Sequence, residues 1–169
     1  MQAVGDDARR QACSFLRAER FGALATVDPT TGAPMASRVS IASASDGAPV
    51  FLISQLSGHF SALEEDPLTS VLLGVPGRGD PLAHPRITVV GRAKRVAQDV
   101  HSQIRSRFLS RHPKAALYAD FGDFAFWRLE PEGASLKGVS ERLMSLSEKT
   151  YSHQLILRSM PRRPAPSNI

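Results

Sequence analysis

Three short segments carry residue types that can hold a phosphorylated planar ring. The first is Ser37-Arg38-Val39-Ser40. Small side chains let a ring approach the backbone, so that N–H and C=O groups meet its edge while Arg38 or a hydroxyl faces a phosphate. The second is Ser54-Gln55-Leu56-Ser57-Gly58-His59-Phe60, a strand end running into a helix start. Such a junction presents unpaired N–H groups and the positive end of a helix dipole. Ser54, Gln55 and Ser57 add hydrogen bonds and His59 a proton-dependent charge, which together make a phosphate seat. The third is His84-Pro85-Arg86-Ile87-Thr88, where Arg86 at a strand start can grip a phosphate with two parallel N–H bonds. Each segment also has a plain reading: a half-exposed strand, a capped surface helix with an exposed histidine, and a surface ion pair between Arg86 and Asp80. Trp127-Arg128 can cover a ring, although an aromatic strand more often belongs to a core.

Other chemistries find less support. The histidines at 59, 84, 101, 112 and 153 are scattered and show no His-x-x-x-His spacing, so no metal site is expected. Neither a Gly-x-Gly-x-x-Gly fingerprint nor a Gly-x-x-x-x-Gly-Lys loop occurs. Cys13 has no histidine beside it in sequence, and no serine or carboxylate stands in a hydrolase motif. No residue declares itself a general acid or base, and the catalytic residues stay unknown.

The elements that must position these segments are short strands with few helices between them. A helix capped by Asp6 or Asp7 is predicted through about Arg20, with Ala8, Ala12, Phe15 and Leu16 on one face. Strands are predicted at Phe21 to Val27, Ala33 to Ala44, Val50 to Ser54, Leu68 to Val75, Arg86 to Val96 and Phe124 to Leu129, with a seventh at Ala134 to Val139. Asp28-Pro29-Thr30-Thr31-Gly32 and Ser45-Asp46-Gly47 supply turns. Ser57 to Glu65 reads as a short helix. Asp99 opens a longer one with Val100, Ile104 and Phe108 on one face, ended by Arg111-His112-Pro113; Ala115 to Tyr118 adds a helical turn. The pattern predicts an α+β protein: an antiparallel barrel of six or seven strands, closed or nearly so, with peripheral helices.

At 169 residues, 42% hydrophobic and 22% charged, the chain fits a single domain with one main core. No apolar run is long enough to span a membrane, and the N-terminus lacks the basic-then-apolar order of a secretion signal. A lone cysteine fits a reducing, cytoplasmic location. Of the formal charge of +5, residues 137–169 carry +4, so the body is nearly neutral and a nucleic-acid-binding face is not expected. The domain is placed at 1–140, followed by a basic tail, 141–169, with Pro-rich, disorder-prone composition at its end.

Taken in order, these segments resemble the flavin mononucleotide (FMN)-binding split-barrel family related to pyridoxamine 5'-phosphate oxidase, and within it the heme-utilisation branch. The similarity covers roughly Asp7 to Leu136. It is carried by Phe21-Gly22-Ala23-Leu24-Ala25-Thr26, Gly32-Ala33-Pro34-Met35-Ala36-Ser37-Arg38-Val39 and Ser54 to His59. The run Gly77 to Thr88 and Phe121-Gly122-Asp123-Phe124 are closest to the heme-utilisation branch. The resemblance implies a homodimeric split barrel with FMN at the subunit interface. It also implies hydride or electron transfer through that cofactor to a small-molecule substrate, as in a flavin-dependent oxidoreductase. Matched onto this chain, the family's flavin-phosphate positions are Ser37, Arg38, Val39, Ser54, Ser57, His59 and Phe60, to which Gln55, Arg86 and Thr88 are joined from the reading above.

Two departures stand out. Phe60 and Ala62 occupy positions where the family tends to carry a small hydroxyl residue and an asparagine. After Leu136, Lys137-Gly138-Val139-Ser140-Glu141 replaces an expected Gly-rich aromatic segment, as an altered reading frame or a divergent terminus would produce. Two alternatives to FMN chemistry follow. One is a heme-binding or heme-utilisation protein, which needs an axial His or Tyr near the dimer cleft, with His153 suggestively placed. The other is a non-catalytic barrel dimer.

Overall fold

The computed structural model describes residues 13–137. Six antiparallel strands close into a barrel in the order β1-β2-β3-β6-β5-β4. They are β1 (Phe21–Val27), β2 (Pro34–Ser43), β3 (Pro49–Ser54), β4 (Leu68–Leu73), β5 (Arg86–Arg95) and β6 (Phe124–Lys137). Helix α1 occupies 13–18 of the described residues. Helix α2 (Gly58–Glu65) joins β3 to β4, and α3 (Gln98–Arg111) joins β5 to β6. Residues 138–169, including the tail from 141 and His153, lie outside the described residues.

Alternation fixes the barrel's inside. In β1, Gly22, Leu24 and Thr26 are buried while Phe21, Ala23 and Ala25 are exposed. The same period in β4 and β5 sends Val71, Leu73, Ile87, Val89 and Ala93 inward. These join Ile41, Phe51, Ile53, Trp127 and Leu129 in one core, which Phe60 and Leu63 of α2 and Leu16 of α1 cover. Strand β3 is buried on both faces, because Val50 and Phe126 turn outward under Ile104 and Phe108 of α3 to form a second core. Val100 stays exposed instead of sharing that helix face. Its place is taken by His101, whose ring meets Phe126 edge-on at 5.3 Å.

The seventh strand predicted at Ala134 to Val139 is instead the second half of β6, so the barrel has six strands. Pro131 suggests a break, since it offers no N–H to a ladder. The register shifts at that point instead: Val90 pairs with Gly133 and Gly91 with Pro131, leaving Glu132 as an extra residue. The bulge requires a residue without a side chain opposite it. A Cβ on Gly91 would stand 2.0 Å from the Glu130 carbonyl oxygen.

Ring closure rests on a short seam. Ala23, Leu24 and Ala25 of β1 pair with Leu72, Val71 and Ser70 of β4. Thr69 Oγ1 donates across it to the Ala25 carbonyl at 2.5 Å.

Candidate functional site

The junction between β3 and α2 is built by local bonds and by one distant loop. Ser57 Oγ donates to the Ser54 carbonyl at 2.6 Å, so this hydroxyl braces the turn and does not cap the helix. Ser54 Oγ accepts from the Leu56 N–H and donates to Asp123 Oδ2 at 3.3 Å. The Gln55 N–H donates to the Asp123 carbonyl at 2.7 Å, and Gln55 Nε2 to the Gly122 carbonyl at 3.2 Å. The loop before β6 is thereby clasped to the end of β3. Asp123 and Gly122 belong to the Phe121-Gly122-Asp123-Phe124 motif, to which the sequence assigned no role at the site; the motif itself was the signal for them.

His59 follows at the first turn of α2. It is half-buried and has no hydrogen-bond partner among the described residues. Burial lowers the pKa of its imidazole, which favours the neutral ring. The preceding Gly58 lies against β2: a Cβ there would touch the Met35 methyl at 3.4 Å. Phe60 turns inward. Its ring belongs to the core and its N–H donates to the Ser57 carbonyl, so neither its side chain nor its N–H faces outward for a ligand.

The remaining predicted residues are distributed over other surfaces. In β2, Ser37 and Val39 lie on the opposite side from Arg38, and Val39 is a core residue. Arg38 is exposed on the barrel's outer face, its guanidinium 5.6 Å from the Phe21 ring centroid, with no carboxylate partner among the described residues. Pairings run Arg38–Ala23, Ala23–Leu72 and Leu72–Thr88, so Thr88 shares that outer row, about 14 Å away at the usual strand spacing. Arg86 does not pair with Asp80. Its Nη1 donates to the carbonyls of Leu82 and His84, while Asp80 accepts from the Leu82 N–H to cap a 3-10 turn, Pro81–Ala83.

The junction thus combines a neutral imidazole with a nearby carboxylate. The imidazole still offers one N–H to a ligand oxygen, while the carboxylate opposes an anion. Among the described residues no group of three His, Cys, Asp or Glu is placed to hold a bare metal ion. Nor is any helix among them long and apolar enough to cross a membrane.

The family model for the CREG beta-barrel matches residues 5–139. The chain belongs to the CREG beta-barrel family. One curated relative is the chloroplastic non-canonical heme oxygenase HOZ of Arabidopsis thaliana, 38% identical over 103 residues, or 60% of this chain. The match spans only 30% of that relative's length. A heme binding protein from Mycobacterium smegmatis is 32% identical with a TM-score of 0.73, covering 80% of this chain and 56% of the other. HutZ, a heme storage protein from Vibrio cholerae, is 25% identical with a TM-score of 0.67, covering 76% and 94%. The heme-utilisation side of the expected resemblance therefore has support among CREG-type relatives. The FMN side has none, since all three names speak of heme and none of flavin.

Within this CREG barrel the donor set can be tested against heme. Heme iron takes a neutral imidazole through a ring nitrogen that nothing else holds. The rings of His59 and His101 make no hydrogen bond among the described residues, while His84 and His112 each have Nε2 at a backbone carbonyl and one ring nitrogen left; of these, His59 stands at the β3–α2 junction.

Proposed function

We propose that this chain binds heme as a homodimer, with His59 as the residue that would hold its iron. The observation that carries this reading is the imidazole of His59 at the first turn of α2, half-buried and without a hydrogen-bond partner among the described residues. The heme-named relatives of the same family support it. Bound heme supplies redox and oxygen chemistry at its iron. In this reading His59 donates a nitrogen lone pair, and Asp123 fixes the Ser54–Gln55 turn from which α2 departs.

The dimer reading rests on the outer face of β2, β1, β4 and β5. Ala36, Ala25, Ser70 and Val90 form one row across it, and Arg38, Ala23, Leu72 and Thr88 the next. Phe21 and Leu72 are 43% and 44% exposed there. A flat face of small and apolar residues suits a second copy of the chain.

The test is a hemin titration of the full chain, followed by its absorbance spectrum, beside a parallel titration with FMN. The expected result is a Soret band of axially ligated heme that is lost in His59→Ala and kept in His153→Ala. Loss in His153→Ala with retention in His59→Ala would move the ligand to the tail. Tight FMN binding without hemin binding would restore the flavin reading.

A further inference from the structure

We propose that the cleft between α1, β2 and α3 is a binding site for a small phosphate monoester, separate from the β3–α2 junction. It is an open cleft of about 270 Å³ lined by Arg17, Ala42, Ser43, Arg107, Ser110 and Arg111. Three arginines and two serines line it, with no carboxylate among its described lining residues; both serine hydroxyls are already engaged, Ser43 Oγ donating to the Leu16 carbonyl and Ser110 Oγ to the Arg107 carbonyl.

Two of those arginines are held in place by backbone, not by counter-charge. Arg107 Nε donates to the Ser43 carbonyl at 3.0 Å, and Arg111 Nη2 donates to the carbonyls of Ala18 and Glu19. Each guanidinium offers more N–H donors than these bonds use, and its full positive charge remains. Several other arginines of the barrel are neutralised by carboxylates. Arg105 is paired with Asp120, Arg128 with Asp46, and Arg95 with Glu64. Arg17, Arg107 and Arg111 have no such partner among the described residues. The carbonyl end of α3 would repel an anion. Part of that end is occupied: the Phe108 carbonyl accepts from the His112 N–H and the Arg111 carbonyl from Arg20. Positioned, uncompensated guanidiniums suit the paired oxygens of a phosphate. The cleft's size limits the ligand to a phosphoryl group on a small body.

The experiment is a titration of the isotope-labelled full chain with inorganic phosphate, against chloride at matched ionic strength, followed by amide resonances. Saturable shifts are expected at Ser43, Ala44 and Ser110, while Ser54 to Phe60 stay still. Arg17→Glu should weaken the midpoint about tenfold or more, the scale of one charged hydrogen bond. Arg17 makes no bond that the fold depends on among the described residues, and Arg17→Gln serves as a milder second variant. Arg78→Glu changes net charge equally, lies on a distant loop, and should leave the midpoint unchanged. Non-saturating shifts, or equal weakening by Arg78→Glu, would reduce the cleft to general electrostatic attraction and overturn the proposal. Acetate acting as well as phosphate would overturn its phosphoryl preference. Shifts confined to the β3–α2 junction would place the anion there and overturn the proposal.

Discussion

Phe60 of α2 meets Trp127 of β6 edge to face, with ring centroids 5.7 Å apart at 87°. The Arg95 guanidinium lies over both rings, at 4.8 Å and 5.6 Å, and is itself paired with Glu64 of α2. This stack pins the helix that carries His59 to the barrel wall. Phe60→Ala should therefore cost about 3–5 kcal/mol, the range for truncating a buried aromatic. Phe60→Leu should cost much less. Urea unfolding of the two variants checks the order; equal, small losses would mean that the helix is held by other contacts.

His59 makes stability depend on pH in a defined direction. Its folded-state pKa is lowered by burial, so below the unfolded value of 6.5 the unfolded chain takes up a proton that the folded chain resists. The His59 contribution is complete above that value and is lost as pH falls toward the lowered one. His59→Leu should flatten the stability curve in this window. Thermal melts at stepped pH would read it, and an unchanged slope would count against a desolvated imidazole.

Asp46, in the turn between β2 and β3, forms a bidentate pair with Arg128 of β6, with contacts of 3.2 Å and 2.5 Å. Arg128 is the main cause holding the Asp46 carboxyl below the ordinary range. Both side chains are substantially exposed, so solvent screens the pair. Asp46→Asn should cost no more than about 1 kcal/mol at neutral pH. The difference from the parent should vanish as pH falls through the lowered carboxyl value, because the parent's own pair is then protonated away.

Gly91 should tolerate no side chain. Gly91→Ala places a Cβ against the Glu130 backbone, which cannot yield without moving the bulge. A loss of about 3 kcal/mol or more is expected, at the upper end of overpacking costs. Near-parental melting of Gly91→Ala would show that the bulge can relocate along β6.

The outer face should respond to charge without loss of fold. Leu72→Glu adds a carboxylate beside Ala23 and Thr88 on the proposed dimer surface. Sedimentation should find a dimeric parent and a folded monomeric variant. A parent that is monomeric at micromolar concentration would remove the dimer reading altogether.

What the sequence settled by itself was local. Strand β1 was legible because its alternation is written in seven consecutive residues. The turn after it was legible because Asp28 accepts from the Thr30 and Thr31 N–H groups and Gly32 sits at φ 72°, all within five residues. The junction at Ser54 to His59 was legible for the same reason. What only tertiary structure decided was where distant segments meet. The bulge at Gly91 exists because β5 must pair with β6 past Pro131, so two predicted strands became one. Phe60 was assigned to a ligand by its place after His59, yet it faces Trp127, 67 positions further along the chain. Asp123 joined the site, and Arg111 joined Ala18, through contacts spanning 69 and 93 positions. Turn and strand propensities act over a few residues, whereas the closure of a barrel sets which side chains share a surface. The lowered pKa of His59 belongs with these, because burial and not the neighbouring sequence shifts it.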